Sequence, residues 1–264
     1  SEHYKTQILG METKDFPIIP KITKTSPLRI NSQVFKSALI SVLDSTALSE
    51  SRPELSGVYV NIGSKQAEFA ATDSFRLSEK IVEVQNGIGK SFILPRNTAM
   101  EIVRLVESRD EEISLSLSEN QILVYGEDFE IISRLIDGHY PEYKRVIPDK
   151  FISLARINKS EFEKNIRMAS IFSSTISDIK LSADKNLMEI IAKNSDRGEI
   201  VANVACDIKN KPFETSVNYH YLLDGLKIIP TENVIVEFTG DGSPLVLKGE
   251  NLKDQTYVIM PLRS

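Results

Sequence analysis

The chain has 264 residues, 41% of them hydrophobic and 26% charged, which suits one large or two ordinary soluble domains with substantial cores. A single cysteine, Cys206, excludes an intramolecular disulfide and a multi-cysteine metal site, while His3, His139 and His220 leave little for a histidine site. The formal charge of −5, from 32 Lys plus Arg against 37 Asp plus Glu, disfavours tight groove-type DNA binding but leaves room for contact through one local basic face.

In chain order, Ser1–Pro20 lacks the apolar centre of a signal peptide, and no run reaches the roughly 18 apolar residues of a membrane span. A cytoplasmic location without membrane contact is expected. Thr6–Met11 reads as a strand lacking neighbours, and Lys21–Pro27, rich in Lys, Thr, Ser and Pro, as a linker. A helix follows, with Val34, Ala38, Leu39, Val42 and Leu43 on one arc and Ser32, Lys36, Ser37 and Asp44 opposite. Strands are predicted over Gly57–Ile62 and Ala67–Thr72. A second helix is capped by Thr98 and Glu101, with Ala99, Ile102, Val103 and Val106 inward. Ile113–Leu117, Gln121–Tyr125 and Phe129–Leu135 read as closing strands, and Pro148–Ser153 as a link.

Beyond the link the pattern returns. Arg29-Ile30-Asn31 recurs as Arg156-Ile157-Asn158, and the same offset carries Phe35 onto Phe162 and Leu39 onto Ile166. The third helix buries Phe162, Ile166 and Ala169 behind a capping box of Ser160 and Glu163. Strands over Ile179–Ala183 and Leu187–Ala192 precede a fourth helix, capped by Asn218, with Tyr219, Leu222 and Leu226 inward. Val234–Phe238, Pro244–Lys248 and Thr256–Met260 then close the unit. Segregated helices and hairpin-like strands argue for two α+β units, each with two helices on antiparallel sheet, rather than a parallel doubly wound fold. Cys206, in the alternating stretch Val201–Ile208, reads as core filler.

Three strings carry more information: Ala71-Thr72-Asp73-Ser74-Phe75-Arg76-Leu77, Asp137-Gly138-His139-Tyr140-Pro141-Glu142-Tyr143-Lys144-Arg145-Val146, and Tyr257 to Arg263, with Leu94-Pro95-Arg96 between the first two. In order and approximate spacing they resemble the β sliding clamp family of bacterial DNA polymerase III. The resemblance covers that family's second and third domains and implies tandem clamp domains: 1–26 as a remnant of the first domain with its linker, 27–149 as the middle domain and 150–264 as the C-terminal domain.

The resemblance further implies a processivity factor and not an enzyme, with no catalytic residue, cofactor or metal. In the family, two three-domain subunits form a ring around duplex DNA, and a groove between the last two domains takes short peptides from polymerases, the clamp loader and repair proteins. Leu55, Thr72, Ser74, Phe75, Arg76, Leu77, Pro141, Arg145, Val146, Val258, Met260, Pro261, Leu262 and Arg263 occupy matching positions. An aliphatic and Met-rich floor suits varied apolar anchors, and arginines suit a peptide's polar groups. Phe75 stands where the family often has His, and Ser264 replaces a terminal apolar residue. Lys36, Arg104, Lys164, Arg167 and Lys227, on helix faces opposite the apolar stripes, are the candidate DNA-facing cations; weak, sequence-blind attraction would allow sliding. Ile171 and Phe172 form a candidate exposed pair at the family's subunit interface. With most of the first domain missing, this chain is expected as a monomer or a non-native dimer.

Other readings make different demands. A two-domain clamp would close as a trimer, and a peptide-binding scaffold would not act on DNA. An enzyme would have to draw on Asp73, Glu101, Asp137 and His139 as acid and base, or on Ser74 or Cys206 as nucleophile, yet no phosphate loop or HExxH motif accompanies them.

Overall fold

The computed structural model describes residues 3–15, 22, 24, 27–49, 51–85 and 87–262. The first repeat unit contains β1 (Leu28–Asn31), α1 (Ser32–Leu43), β2 (Gly57–Ile62), β3 (Gln66–Thr72), β4 (Arg76–Glu83), β5 (Lys90–Pro95), α2 (Arg96–Leu105), β6 (Glu112–Leu117), β7 (Gln121–Tyr125) and β8 (Glu130–Arg134). The second repeats that order with β9 (Ser153–Asn158), α3 (Lys159–Ser170), β10 (Asp178–Asp184), β11 (Leu187–Asn194), β12 (Gly198–Asn210), β13 (Phe213–Asn218), α4 (Tyr219–Ile228), β14 (Asn233–Phe238), β15 (Leu245–Gly249) and β16 (Gln255–Ile259).

The strands form two sheets, one of order β1-β6-β7-β8 and one of order β13-β10-β11-β12-β9-β14-β15-β16-β4-β3-β2-β5. All these strand pairings are antiparallel, and the larger sheet runs through both units because β16 pairs with β4, from Gln255↔Lys80 to Ile259↔Arg76. The helices cover the sheet and close two large cores: Phe35, Leu39, Ala99 and Ile102 in the first unit, Phe162, Ile166, Leu222 and Leu226 in the second, none more than 1% exposed. The repeated positions Phe35 and Phe162 thus do the same packing work, and so do Leu39 and Ile166.

The repeated asparagines explain the helix starts. Asn31 Oδ1 accepts from the backbone N–H groups of Gln33 and Val34, and Asn158 Oδ1 from that of Glu161, so the first and third helices begin on caps at equivalent sites. This replaces the capping box expected at Ser160. Thr98 is likewise no cap: α2 begins two residues earlier behind Pro95, and the Thr98 hydroxyl lies 2.7 Å from that of Ser133. On α1, Val34 is exposed and Ser32 buried, the reverse of expectation, because Ser32 Oγ donates to the Arg109 carbonyl and accepts from the Glu111 N–H.

Thr6–Met11 does not form a strand. It is irregular, with Ile8, Leu9 and Met11 exposed, since no neighbouring strand takes up its backbone groups. The expected linker 21–27 falls mostly outside the described residues. No described helix is long and apolar enough to cross a membrane.

Candidate functional site

At the β4–β16 seam the sheet has two chemically different faces. Register partners point the same way, so Ser78 and Tyr257 share one face, and Leu77 and Val258 share the other. On the first face Ser78 Oγ donates to the Ser41 carbonyl of α1, and Tyr257 packs beneath Gly225 of α4. Both helices therefore lie on one side of the junction, tied by the Lys227–Asp44 ion pair at 3.0 Å. On the opposite face Ala70, Leu77, Val246 and Val258 make a small separate core with Tyr143, from the single helical turn Tyr143–Val146.

A cavity of about 240 Å³ opens beside this small core. Leu55, Leu77, Val146, Val258, Pro141 and Met260 form its apolar lining; Thr72, Ser74 and Arg76 supply polar groups from the turn between β3 and β4. That turn is rigidly built. Asp73 Oδ1 accepts from the N–H groups of Phe75 and Arg76, Thr72 Oγ1 donates to the Arg76 carbonyl, and Ser74 sits at φ +79°.

Arg76 is held in several directions. Its Nε donates to Asp73 Oδ2 at 3.0 Å, its Nη1 to Asp224 of α4, and the guanidinium lies 4.7 Å from the Tyr221 ring centre. Burial disfavours its charge, but Tyr257, Asp224 and Asp73 outweigh that and leave its pKa raised. A fixed cation thus borders an apolar hollow assembled from both units, an arrangement suited to an extended chain with apolar side chains and polar ends.

Nine of the fourteen residues assigned by resemblance line this cavity, and four others, Phe75, Arg145, Pro261 and Leu262, do not. Phe75 is 59% exposed, and its carbonyl accepts from the Met260 N–H at 2.8 Å. Arg145 turns outward to pair with Glu142 at 2.5 Å. Pro261 and Leu262 line an adjoining concavity with Lys180 and Thr215, where the Leu262 N–H donates to Ser216. Arg263 lies outside the described residues. Sequence reasoning missed three lining residues, Arg52, Glu142 and Tyr143. Two of them lie within a quoted string, whereas Arg52, whose Nη1 donates to Ser74 Oγ at 3.3 Å, carried no signal.

A larger cleft of about 950 Å³ separates β5 from the 117–120 turn and holds Asp137 and His139. Its lining mixes apolar side chains such as Phe92, Ile93 and Leu135 with Lys90, Glu119, Asn120, Arg134 and Asp137, so it is the more polar of the two and size does not make it the better peptide site. Of the remaining groups considered for catalysis, Glu101 pairs with Arg104, and Cys206 is buried with its thiol pushed up to about 11 by desolvation and Asp207. A thiol so shifted is a poor nucleophile near neutrality. No group of three or more His, Cys, Asp or Glu placed to hold a metal occurs among the described residues.

The five helix cations differ in their surroundings. Lys36 Nζ donates to the Glu107 carbonyl at 3.2 Å, Arg104 pairs with Glu101 and Arg167 with Glu163, and Lys227 bridges to Asp44. Lys164 is exposed on α3. Such surface pairs hold by about 0.2–1 kcal/mol and can be exchanged for a phosphate partner. Ile171, just past α3, is 60% exposed, but Phe172 packs partly against the second core, so the expected pair is half buried.

Residues 29–142 match the family model described as DNA polymerase III beta subunit, central domain, and residues 144–263 the model of its C-terminal domain. Beta sliding clamps of Staphylococcus epidermidis and Staphylococcus aureus are each 28% identical over 268 residues, which cover 100% of this chain and 71% of theirs. The Bacillus subtilis DNA polymerase sliding clamp structure superposes with a TM-score of 0.93 at 24% identity, covering 96% of this chain and 68% of that one. The Thermotoga maritima DNA polymerase III beta subunit gives 0.92 at 23% identity, covering 96% and 70%.

Proposed function

Because the chain belongs to the DNA polymerase III beta-subunit family, we propose that it serves as a sliding clamp, a non-enzymatic processivity factor that encircles duplex DNA and tethers the replicative polymerase. Residues 27–149 act as the middle domain, 150–264 as the C-terminal domain, and 1–26 as the close of a first domain. The full-length protein is a cytoplasmic homodimeric ring, and Ile171 with part of Phe172 belongs to its subunit contact. The cavity across the β4–β16 seam is the docking groove for short peptides of polymerase, clamp-loader and repair proteins.

The observation that supports this reading best is the composite groove itself: an apolar floor taken from both units, Leu77 of one beside Val258 of the other, bordered by the half-buried cation Arg76. Apolar anchors would fill the hollow while Arg76 meets a polar or acidic group of the peptide. Enclosure rather than adhesion would hold the ring on DNA, so a net acidic protein with a few exchangeable cations on its helices is adequate.

The test is titration of a fluorescently labelled clamp-binding peptide from a bacterial replicative polymerase against the wild type and Met260→Asp. A carboxylate on the apolar floor should weaken binding by about a hundredfold. Equal affinities would remove the groove from this assignment.

A further inference from the structure

The strand that supplies Leu77 to the groove floor also buries a carboxylate two residues further on. Glu79 is 8% exposed and, by the alternation of β4, faces the same side as Leu77, whereas Ser78 between them faces α1. A buried carboxylate is costly unless it is hydrogen-bonded or paired. Here the Tyr143 hydroxyl donates to Glu79 Oε1 at 2.8 Å, and Lys144 Nζ stands 3.9 Å from the same oxygen while pairing with Glu68.

Tyr143 is itself a wall of the groove and opens the helical turn that also presents Val146. Its ring is steered by edge contacts with Tyr59 and Tyr140, 6.0 and 6.3 Å between centres. Those contacts are apolar and permit the ring to slide; the hydroxyl–carboxylate bond is directional and fixes its depth. Glu79 stands behind the wall and outside the groove.

We propose that Glu79 is a positioning residue for the peptide groove: through Tyr143 it holds the Tyr143–Val146 turn against the sheet, so that the pocket is formed before a ligand arrives. The proposal rests on the groove reading above. Preorganisation of this kind raises affinity by removing the ordering cost from the binding step.

The same labelled polymerase peptide tests it, titrated against Glu79→Leu, Tyr143→Phe, their double variant and Glu79→Gln, with melting temperatures measured alongside. Glu79→Leu and Tyr143→Phe should each weaken binding about tenfold, and the double variant no further, since both remove one bond. Glu79→Gln, whose amide oxygen can still accept from Tyr143, should recover binding to within about threefold of wild type, a rescue that mere loss of packing would not give. If Glu79→Leu does not fold, Tyr143→Phe and Glu79→Gln carry the comparison. Wild-type affinity in folded Tyr143→Phe, or independent and additive losses in the double variant, would overturn the proposal while leaving the groove assignment intact. A wild-type chain that binds no peptide would overturn both.

Discussion

Gly225 lies where α4 crosses the Tyr257 ring so closely that a Cβ there would come within 2.5 Å of it. Alanine favours a helix by up to about 1 kcal/mol over glycine, but the overlap with a fully buried ring costs about 1–3 kcal/mol. Gly225→Ala should therefore destabilise the chain, read as a lower urea midpoint with an unchanged m-value. Cys206 makes the opposite kind of point. With its thiol pushed up to about 11, it should resist a thiol reagent at pH 8 in the native state and react at once in denaturant. Its role as core filler was legible from the alternation of Val201–Ile208. The helix caps were less so: Ser160 and Thr98 fit the capping pattern, yet the chain enters α3 from a strand ending at Asn158 and α2 from one ending at Pro95, and the direction of entry decides which side chain reaches the free N–H groups.

At the scale of elements, β4 is the informative miss. Arg76–Glu83 places Ser78, Glu79 and Lys80 in mid-strand, where an apolar alternation would be expected, and so reads poorly as buried sheet. Those residues are polar because each has a tertiary partner: Ser41, Tyr143 and Asp254. The strand can be recognised only when its neighbours are known. Most other strand positions were readable, since Gly57–Ile62 or Gln121–Tyr125 bury apolar residues against a helix-covered core. The groove was readable only through the resemblance of its strings, because Leu77, Val146 and Met260 alone look like ordinary core. Arg76 joins β4 to α4, and removing Asp224 leaves it with Asp73 as its remaining acidic partner. Asp224→Ala should cost about 1–3 kcal/mol of stability and speed hydrogen exchange at the β4–β16 amides. Unchanged exchange there would show that the backbone ladder holds the seam without it.

For the whole molecule the argument turns on charge and assembly. Four of the five helix cations already have protein partners, so DNA attraction should be modest and weakened further by salt. Reversing Lys164 and Arg167 to Glu in the full-length protein should lower polymerase processivity most at low salt while leaving peptide binding intact; no change in processivity would favour a scaffold that does not act on DNA. Ring closure was legible only through the resemblance, since pairing beyond the described strand edges leaves no mark in one chain's own pattern.

The groove floor is shared, Leu77 from one unit and Val258 from the other, so neither half owns the pocket. A peptide seated there acts as a staple across the joint. At a hundred times its dissociation constant, such a ligand would add about 2.7 kcal/mol against any unfolding that separates the halves. Client proteins would thus fasten the platform on which they dock, and a clamp in use would be sturdier than an idle one.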